Sequence, residues 1–587
     1  MKKDMIGVIA CVAIVIVASA AVCVSLAKED NQVVADTVVL GKIYTSNENG
    51  DYAQALAVKD GKYIYVGDAD GVDKYIKKGT TKVIDYNNKG LIMAGATEGH
   101  GHYAMQGVLV ALGLGLTGDT PEKILDNVRA YVANHPDNSI YFTFGWNNVK
   151  MQSIKATYDM RSALDEICSD KVMMILDDSG HNAFCNSKAF EVAGVTKETV
   201  IRGGVIAKNA ATGELLGLVS DMANNYVIKK AVSTQSLITE ENYAKICQAM
   251  EKSLHKNGYT NYQDGWLNYF GAQALDCLMS YDNSTGLTIY LGGSHKIDSY
   301  DDWGAELDLA EQYMEKYDTE HFSYNTIKLF ADGEAVESMS GWMKDEDAYA
   351  DGSTGTQVWD TDTMNAIVKE ANEKGLSVHV HAQGSAATEQ VVNAYVAAKN
   401  TAKDGVYNGI CHGRNITEET KQKMAENDIY AAININWRVL VDQKDADKVT
   451  QVLSLDVAKA GYPVKSLLDK GVVVTSSTDV PSDAGAPTSV CGIIEVAVND
   501  TRPEFEVWEL DPNEKVSVEQ AIDIMTINGA KQLQIEDSRG SIEVGKFADF
   551  LFLDRDITTC APETIHEGNV VSVYFEGKEV YRTDLKN

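Results

Sequence analysis

Cysteine is sparse and unpatterned in this 587-residue chain: there are nine, and none forms a CxxC spacing. Cys11 and Cys23 fall in an N-terminal apolar run, and the others are an odd, scattered set that argues against a disulfide framework. Positive charge is also short. Against 52 Lys and Arg stand 85 Asp and Glu, a formal net charge of −33 that repels nucleic acid and anionic lipid, so nucleic acid is not an expected partner. No repeat with a period of about 20 to 50 residues is evident and no low-complexity segment is found. Beyond residue 27 there is no second apolar run of membrane length, and a hydrophobic fraction of 44% suffices for a large core, so the remainder reads as a soluble globular body.

What is present begins with Lys2 and Lys3 ahead of an almost unbroken apolar run from Met5 to Ala27. This is a leader rather than part of the fold. It is long enough to cross a bilayer core, which needs roughly 20 residues, and Ser25-Leu26-Ala27 also suits signal peptidase. A cleaved signal peptide and an N-terminal membrane anchor over residues 1–27 therefore both stand. Either puts the rest of the chain outside the cytoplasmic membrane, secreted or tethered, with membrane contact only through this segment.

Short strands and turns follow at Val38-Val39-Leu40, Ala57-Val58, Ile64-Tyr65-Val66 and Lys82-Val83-Ile84-Asp85. The C-terminus reads alike, at Gly545 to Asp554 and at Val570 to Phe575, so both chain ends are expected to build one small β unit. Between them strand and helix alternate, which favours a parallel sheet with helices outside it. Met364, Ile367, Val368 and Ala371 share a helical face that Gly375 is placed to end, and Leu376 to Val380 then runs as a strand. Ser517 and Gln520 form a capping-box pattern ahead of Ala521, Ile524 and Met525. The stretch from about Ala104 to Asp264 is less regular and reads as an insertion.

Chemistry concentrates where strands end. His100-Gly101-His102 follows the apolar Leu91-Ile92-Met93, and in extended chain residues i and i+2 point to the same side, so both imidazoles can reach one ion. Alone, this pattern also fits surface or hydrogen-bonded core histidines. It recurs: His379-Val380-His381 closes a strand, His412 follows Gly409-Ile410-Cys411, and Asp479 follows the run Val472 to Thr478. A barrel gathers the C-terminal ends of its strands at one mouth, where scattered ligands converge. Of these, His379 reads as a core histidine rather than a ligand.

With these motifs the sequence resembles the amidohydrolase superfamily, in particular the YtcJ-like branch (amidohydrolase family 3) that includes N-substituted formamide deformylases. The matching segments are Leu91 to His102, Ile327-Lys328-Leu329-Phe330-Ala331-Asp332-Gly333, Val378 to Ala382, Cys411-His412, Ser477-Thr478-Asp479-Val480-Pro481 and Gly540 to Asp549. The resemblance implies an α/β fold, a (β/α)₈ TIM-like barrel with a small composite β-sandwich built from both chain ends. Residues 33–92 would be the N-terminal part of that sandwich, 93–535 the hydrolase barrel with its insertion around 104–264, and 536–587 the C-terminal part. It also implies that His100, His102, His381, His412 and Asp479 are metal ligands, that Lys328 carries CO₂ as a bridging carbamate, and that one or two divalent ions, zinc by preference, are bound. Lys328 reaching solvent or pairing with Asp332 is the other reading of that residue. His181, Trp146 and Asp264 resemble positions near the substrate. The family has Pro, Asp and Glu where Ala94, Glu98 and Cys411 stand, and Ser385 replaces an aspartate, departures that spare the ligands and touch their surroundings.

The activity implied is hydrolysis of an amide-like, non-peptide carbon–nitrogen bond in a small molecule by metal-activated hydroxide, with Asp479 moving the proton. Deamination or opening of a cyclic amide would use the same site, since fold and ligands do not choose among these. An envelope-bound regulatory or binding protein with a vestigial site is the alternative of a different class.

Overall fold

The computed structural model describes residues 33–583 apart from 87–88, 113–114, 152, 178–179, 202–203, 233–237, 298–299, 337, 439–442, 481–485 and 501–510. The expected leader, residues 1–27, lies outside the described residues. Among the described residues no helix is long and apolar enough to cross a membrane.

Strands β1 (Thr37–Tyr44), β2 (Tyr52–Lys59), β3 (Lys62–Gly67), β4 (Lys82–Asp85) and β5 (Leu91–Ala94) come from the N-terminal end. Then β6 (Ala96–Gly101) enters a different sheet. Six strands follow, β7 (Gly115–Gly118), β8 (Ile140–Trp146), β9 (Val172–Asp177), β10 (Asn182–Cys185), β11 (Gly204–Lys208) and β12 (Leu215–Asp221). The series continues with β13 (Tyr259–Asp264), β14 (Tyr290–Lys296), β15 (Phe322–Phe330), β16 (Ser377–Ala382), β17 (Gly409–His412), β18 (Tyr430–Ile433) and β19 (Val474–Ser476). It closes with β20 (Phe550–Leu553), β21 (Val570–Phe575) and β22 (Lys578–Arg582).

Both chain ends share one eight-stranded sheet, in which β20 runs antiparallel to β5 and carries β21 and β22 with it. Alternation along β1 feeds two cores: Val39 and Ile43 pack with Ile92, Phe550 and Tyr574, while Val38 turns the other way to Ala55, Ala57 and Val72. The composite unit is thus built as the terminal strands suggested.

The second eight-stranded sheet is parallel throughout, in the order β19-β18-β17-β16-β15-β14-β13-β6. It is a nearly closed barrel. No ladder joins β19 to β6; the seam is made by Asp479 N–H donating to the His100 carbonyl at 2.9 Å and His102 N–H to the Val480 carbonyl at 2.9 Å. Glu98, buried on β6, adds to the seam by accepting from Thr478 N and Thr478 Oγ1, each at 2.8 Å. The last strand is therefore shorter than the apolar run Val472 to Thr478 suggests, because Thr478 and Asp479 bond to β6 residues in place of a ladder partner. Helices lie outside; in Thr361–Lys374 the face Met364, Ile367, Val368 and Ala371 is buried, and Gly375 ends the helix with φ 90°. The capping box of Ser517 and Gln520 is formed.

Of the stretch expected as a less regular insertion over 104–264, residues 115–221 form a sheet of their own, ordered β11-β12-β10-β9-β8-β7, parallel over β7 to β9 and antiparallel from β9 to β11, whereas its last strand, β13, belongs to the barrel. The inserted sheet follows the helix Tyr103–Leu112, which begins directly after His102.

The composite unit is fastened to the barrel at His321, just before β15. Its Nδ1 lies 3.1 Å from Asp282 of the barrel helix Ala272–Ser284, and its Nε2 lies 3.3 Å from Glu576 in the β21–β22 turn. The hydrogen bond to Asp282 and the contact with Glu576 outweigh partial burial and raise the imidazole from 6.5 to about 9. A raised folded-state pKa stabilises fully below the unfolded value and loses its effect as pH rises through the folded one. The His321→Gln variant is therefore expected to melt below wild type at pH 6, by on the order of 2 kcal/mol in stability, with the gap closing by about pH 10. Melting curves of both proteins across that range check it; an equal gap at both ends contradicts it.

Candidate metal centre and active site

Every strand of the barrel points its C-terminal end to the same mouth, and the residues singled out by sequence lie there. His100 sits near the end of β6 with His102 just beyond it, Lys328 is on β15, His381 on β16, His412 ends β17, and Asp479 follows β19. His102 Nε2 and His100 Nε2 lie 3.1 and 3.5 Å from the same oxygen, Oδ1 of Asp479. Ligand atoms of these three residues fall within 4.8 Å of one another, a spacing that fits one ion.

Glycines make this approach possible. A Cβ on Gly265 would lie 2.1 Å from His100 Cε1, and one on Gly101 2.2 Å from Tyr262 Oη. The His100 ring occupies the space a side chain at 265 would fill. Gly265→Ala should displace that ring and weaken metal binding by roughly 10- to 100-fold, the range seen when supporting partners of a ligand are lost. Metal retained after dialysis against a weak chelator measures this; full retention would show that His100 tolerates the added methyl.

The proton positions of the imidazoles follow from their partners. Lys328 Nζ, fully buried, lies 3.1 Å from His100 Nε2; with Lys328 as the donor in this contact, Nε2 accepts and the His100 proton sits on Nδ1. That proton faces His379 Nε2 at 3.0 Å, which puts the His379 proton on Nδ1, 2.8 Å from Tyr430 Oη. Both nitrogens of His379 are thus engaged within the barrel, in keeping with a core histidine that orients His100. His412 Nδ1 lies 2.8 Å from Asn434 Oδ1, an acceptor, so its Nε2 lone pair is exposed to the mouth. The His412 ring also stacks on Trp437 at 5.5 Å. His381 stacks on Phe330, and its Nε2 is buried with no hydrogen bond, the nearest carboxylate oxygen being Asp332 Oδ1 at 3.8 Å. A buried imidazole nitrogen beside His412 that makes no hydrogen bond among the described residues fits a metal ligand.

Electrostatics agree with ligand duty. Burial, reinforced by Lys328 and the neighbouring histidines, holds His100, His379 and His381 well below the usual imidazole range, and burial lowers His412 to about 4. All are neutral near pH 7, the form that binds metal. Burial alone would push the Asp479 carboxyl up, but the hydrogen bond from His102, backed by attraction to the His412, His102 and Lys328 side chains, holds it well below the carboxylate range. His412 and Asp479 also adopt left-handed backbone, φ 72° and 56°. Such strain in non-glycine residues clusters at functional sites.

The other expected residues are placed differently. Asp332 does not pair with Lys328: its carboxylate accepts from the backbone of Trp342, Gln383 and Gly384 at 2.7 to 3.0 Å, joining the loops after β15 and β16. Burial pushes it up to about 8. Asp264 is buried at the end of β13 and accepts from Ala104 N at 3.2 Å and Trp266 N at 2.5 Å, so it holds the start of the helix that follows His102. Trp146 is fully buried in the inserted sheet, donates Nε1 to the Ile175 carbonyl at 2.9 Å and stacks on Phe184, a core position. His181 is part-exposed, its Nδ1 3.0 Å from Asp221, and the preceding Gly180 lies against Met105, three residues from His102. Sequence reading passed over Asn434, Gly265 and Tyr430 as supports of the site; only Asn434, which ends the run Tyr430 to Ile433, carried a positional signal.

The Amidohydrolase family model matches residues 82–581. YtcJ of Bacillus subtilis is 26% identical over 92% of this chain and 98% of its own length, and an N-substituted formamide deformylase of Arthrobacter pascens is 22% identical over 92% and 97%. In fold, a metal-dependent hydrolase from Pyrococcus horikoshii OT3 superposes with TM-score 0.69 at 18% identity, covering 90% of this chain and 99% of that one. With a match over most of its length, the chain belongs to the amidohydrolase family, hydrolases of carbon–nitrogen bonds.

Proposed function

We propose that this protein hydrolyses an amide-like, non-peptide carbon–nitrogen bond of a small molecule with divalent metal held at the barrel mouth. The observation that carries the proposal is the convergence of His100, His102 and Asp479 within one ion's reach, next to the orphaned Nε2 of His381. In this reading His100, His102, His381, His412 and Asp479 hold the metal, zinc by preference, and Lys328 joins them as a carbamate. A divalent ion bound there supplies a Lewis acid that polarises the scissile carbonyl and brings the pKa of water from 15.7 toward about 7.

The chain's own residues do the rest. Asp479, kept ionised by His102, takes the proton of the attacking water and passes it to the leaving nitrogen. The histidines serve as ligands rather than bases, and His100, His381 and His412 are low in basicity. Asn434 and His379 fix the rings of His412 and His100 so that little reorganisation is needed at the reacting carbonyl. The leader motif, Lys2-Lys3 and the apolar run to Ala27, supports work outside the cytoplasmic membrane.

The deformylase relative makes N-substituted formamides the first substrates to try, with N-acyl amino acids and cyclic amides beside them. Release of amine from one of these classes by protein purified without residues 1–27 is expected; ammonia released from an aminated ring instead would favour deamination, and no turnover in any class by fully metal-loaded protein would favour the vestigial site. Lys328→Ala should stay folded but hold less metal, and short carboxylic acids should restore part of its activity by filling the gap. Unchanged metal content in Lys328→Ala contradicts its place among the ligands.

A further inference from the structure

Cys411 stands where the family resemblance leads one to expect glutamate, and it lies on the same strand as His412, one residue earlier. In regular strand geometry adjacent residues face opposite sides of a sheet. Here the left-handed φ of His412, 72°, breaks the alternation, so Sγ of Cys411 and a ring nitrogen of His412 both face the interior. These atoms and a nitrogen of His100 lie within 4.8 Å of one another, and all three residues are buried. The cluster is distinct in composition from the one made with His102 and Asp479.

Two further observations mark the spot as one built for a cation. Lys328 Nζ donates to Cys411 Sγ at 3.0 Å and lies 3.1 Å from His100 Nε2, so sulfur and imidazole converge on a point now held by the Lys328 nitrogen. His381, whose Nε2 is buried and without a hydrogen bond, is the ladder partner of Cys411, and its ring centroid lies 4.4 Å from that of His412. A cysteine kept only for packing against Tyr430 and Ala432 would not need to face two imidazoles and an amine.

The geometry points to Cys411 as a further metal ligand, a thiolate shared with His100 and His412 that makes the inner part of the mouth prefer a thiophilic divalent ion such as zinc. This rests on the proposed metal site. Ligation breaks the S–H bond, forms a sulfur–metal bond and releases the proton to solvent, with no change of oxidation state. It also displaces the Lys328 side chain from the point between Sγ and Nε2; once its nitrogen has given a proton to solvent, the neutral amine can form an N–C bond to CO₂ with loss of a second proton. Sulfur at one corner favours zinc or cobalt over magnesium or manganese, which prefer oxygen ligands.

Cobalt(II) substitution tests the assignment without reference to turnover. After removal of native metal, wild type and the control Cys491→Ser, altered at another buried cysteine, should bind cobalt and show a near-ultraviolet sulfur-to-cobalt charge-transfer band. Cys411→Ser should lose the band and bind zinc at least about tenfold more weakly. A band that survives in Cys411→Ser, or cobalt-loaded wild type without one, overturns the thiolate while leaving the metal site standing; failure of wild type to bind cobalt or zinc at all overturns both. Should Cys411→Ser not fold, X-ray absorption of the zinc-loaded wild type decides: a sulfur scatterer at about 2.3 Å is expected, and a shell of nitrogen and oxygen alone refutes it.

Discussion

Asp479→Asn should lower turnover by about 10² to 10⁴, the usual worth of general acid–base catalysis, while the barrel stays folded. The amide matches the carboxylate in shape and can still occupy the left-handed turn at φ 56°, and the backbone bond from its N–H to the His100 carbonyl is untouched. What it cannot do is accept a proton from water and return it to the leaving nitrogen. The effect should fall on kcat more than on KM, since the proton moves in the transition state and not on binding. Metal content should fall less than activity, because four histidines and Lys328 remain. A variant with near-normal kcat would remove Asp479 from the role of base.

Replacing His100 and His102 together by alanine should have the other large effect. Both imidazoles approach Asp479 Oδ1, at 3.5 and 3.1 Å, and His100 also receives Lys328 and faces His379. Their loss takes two partners from the buried carboxylate and leaves Lys328 without one of its two acceptors, a cost of about 3 to 5 kcal/mol by analogy with broken buried ion pairs. Bound metal should drop to background, with a lowered melting temperature in the same sample. If these were only packing histidines, metal content would not change, and elemental analysis of the double variant separates the two cases.

Much of this site was readable before the fold was known, for a physical reason. Ligands that sit at strand ends inherit the period of two, so His100 and His102 declare a shared direction, and His381 and His412 close short strand-like runs of their own. The composite sheet was readable for the same reason, through the terminal runs that became β1 to β5 and β20 to β22.

What could not be read depends on contacts far apart in sequence or on backbone departures from the period. Glu98 meets Thr478 across the seam of the barrel, and nothing local in either segment reports it. The turn at His412 that lets Cys411 and His412 face the same way needs a φ that alternation does not predict. Trp146 resembled a position near the substrate, yet the inserted sheet encloses it, and that sheet itself is built partly from strands such as β7, Gly115–Gly118, too short and too poor in apolar residues to show a period. Asp264 carried the right residue type at the right strand end, and its carboxylate is turned to backbone amides, a use that residue type alone does not reveal.

The central claim is that hydrolysis depends on metal held at this mouth, and one titration addresses it most directly: amine release from a cleaved amide by the same protein sample before chelation, after chelation, and during stepwise return of zinc. Activity should vanish with the metal and return in proportion to ion bound, saturating at one or two ions per chain. Full activity in protein shown by elemental analysis to be metal-free would contradict the account.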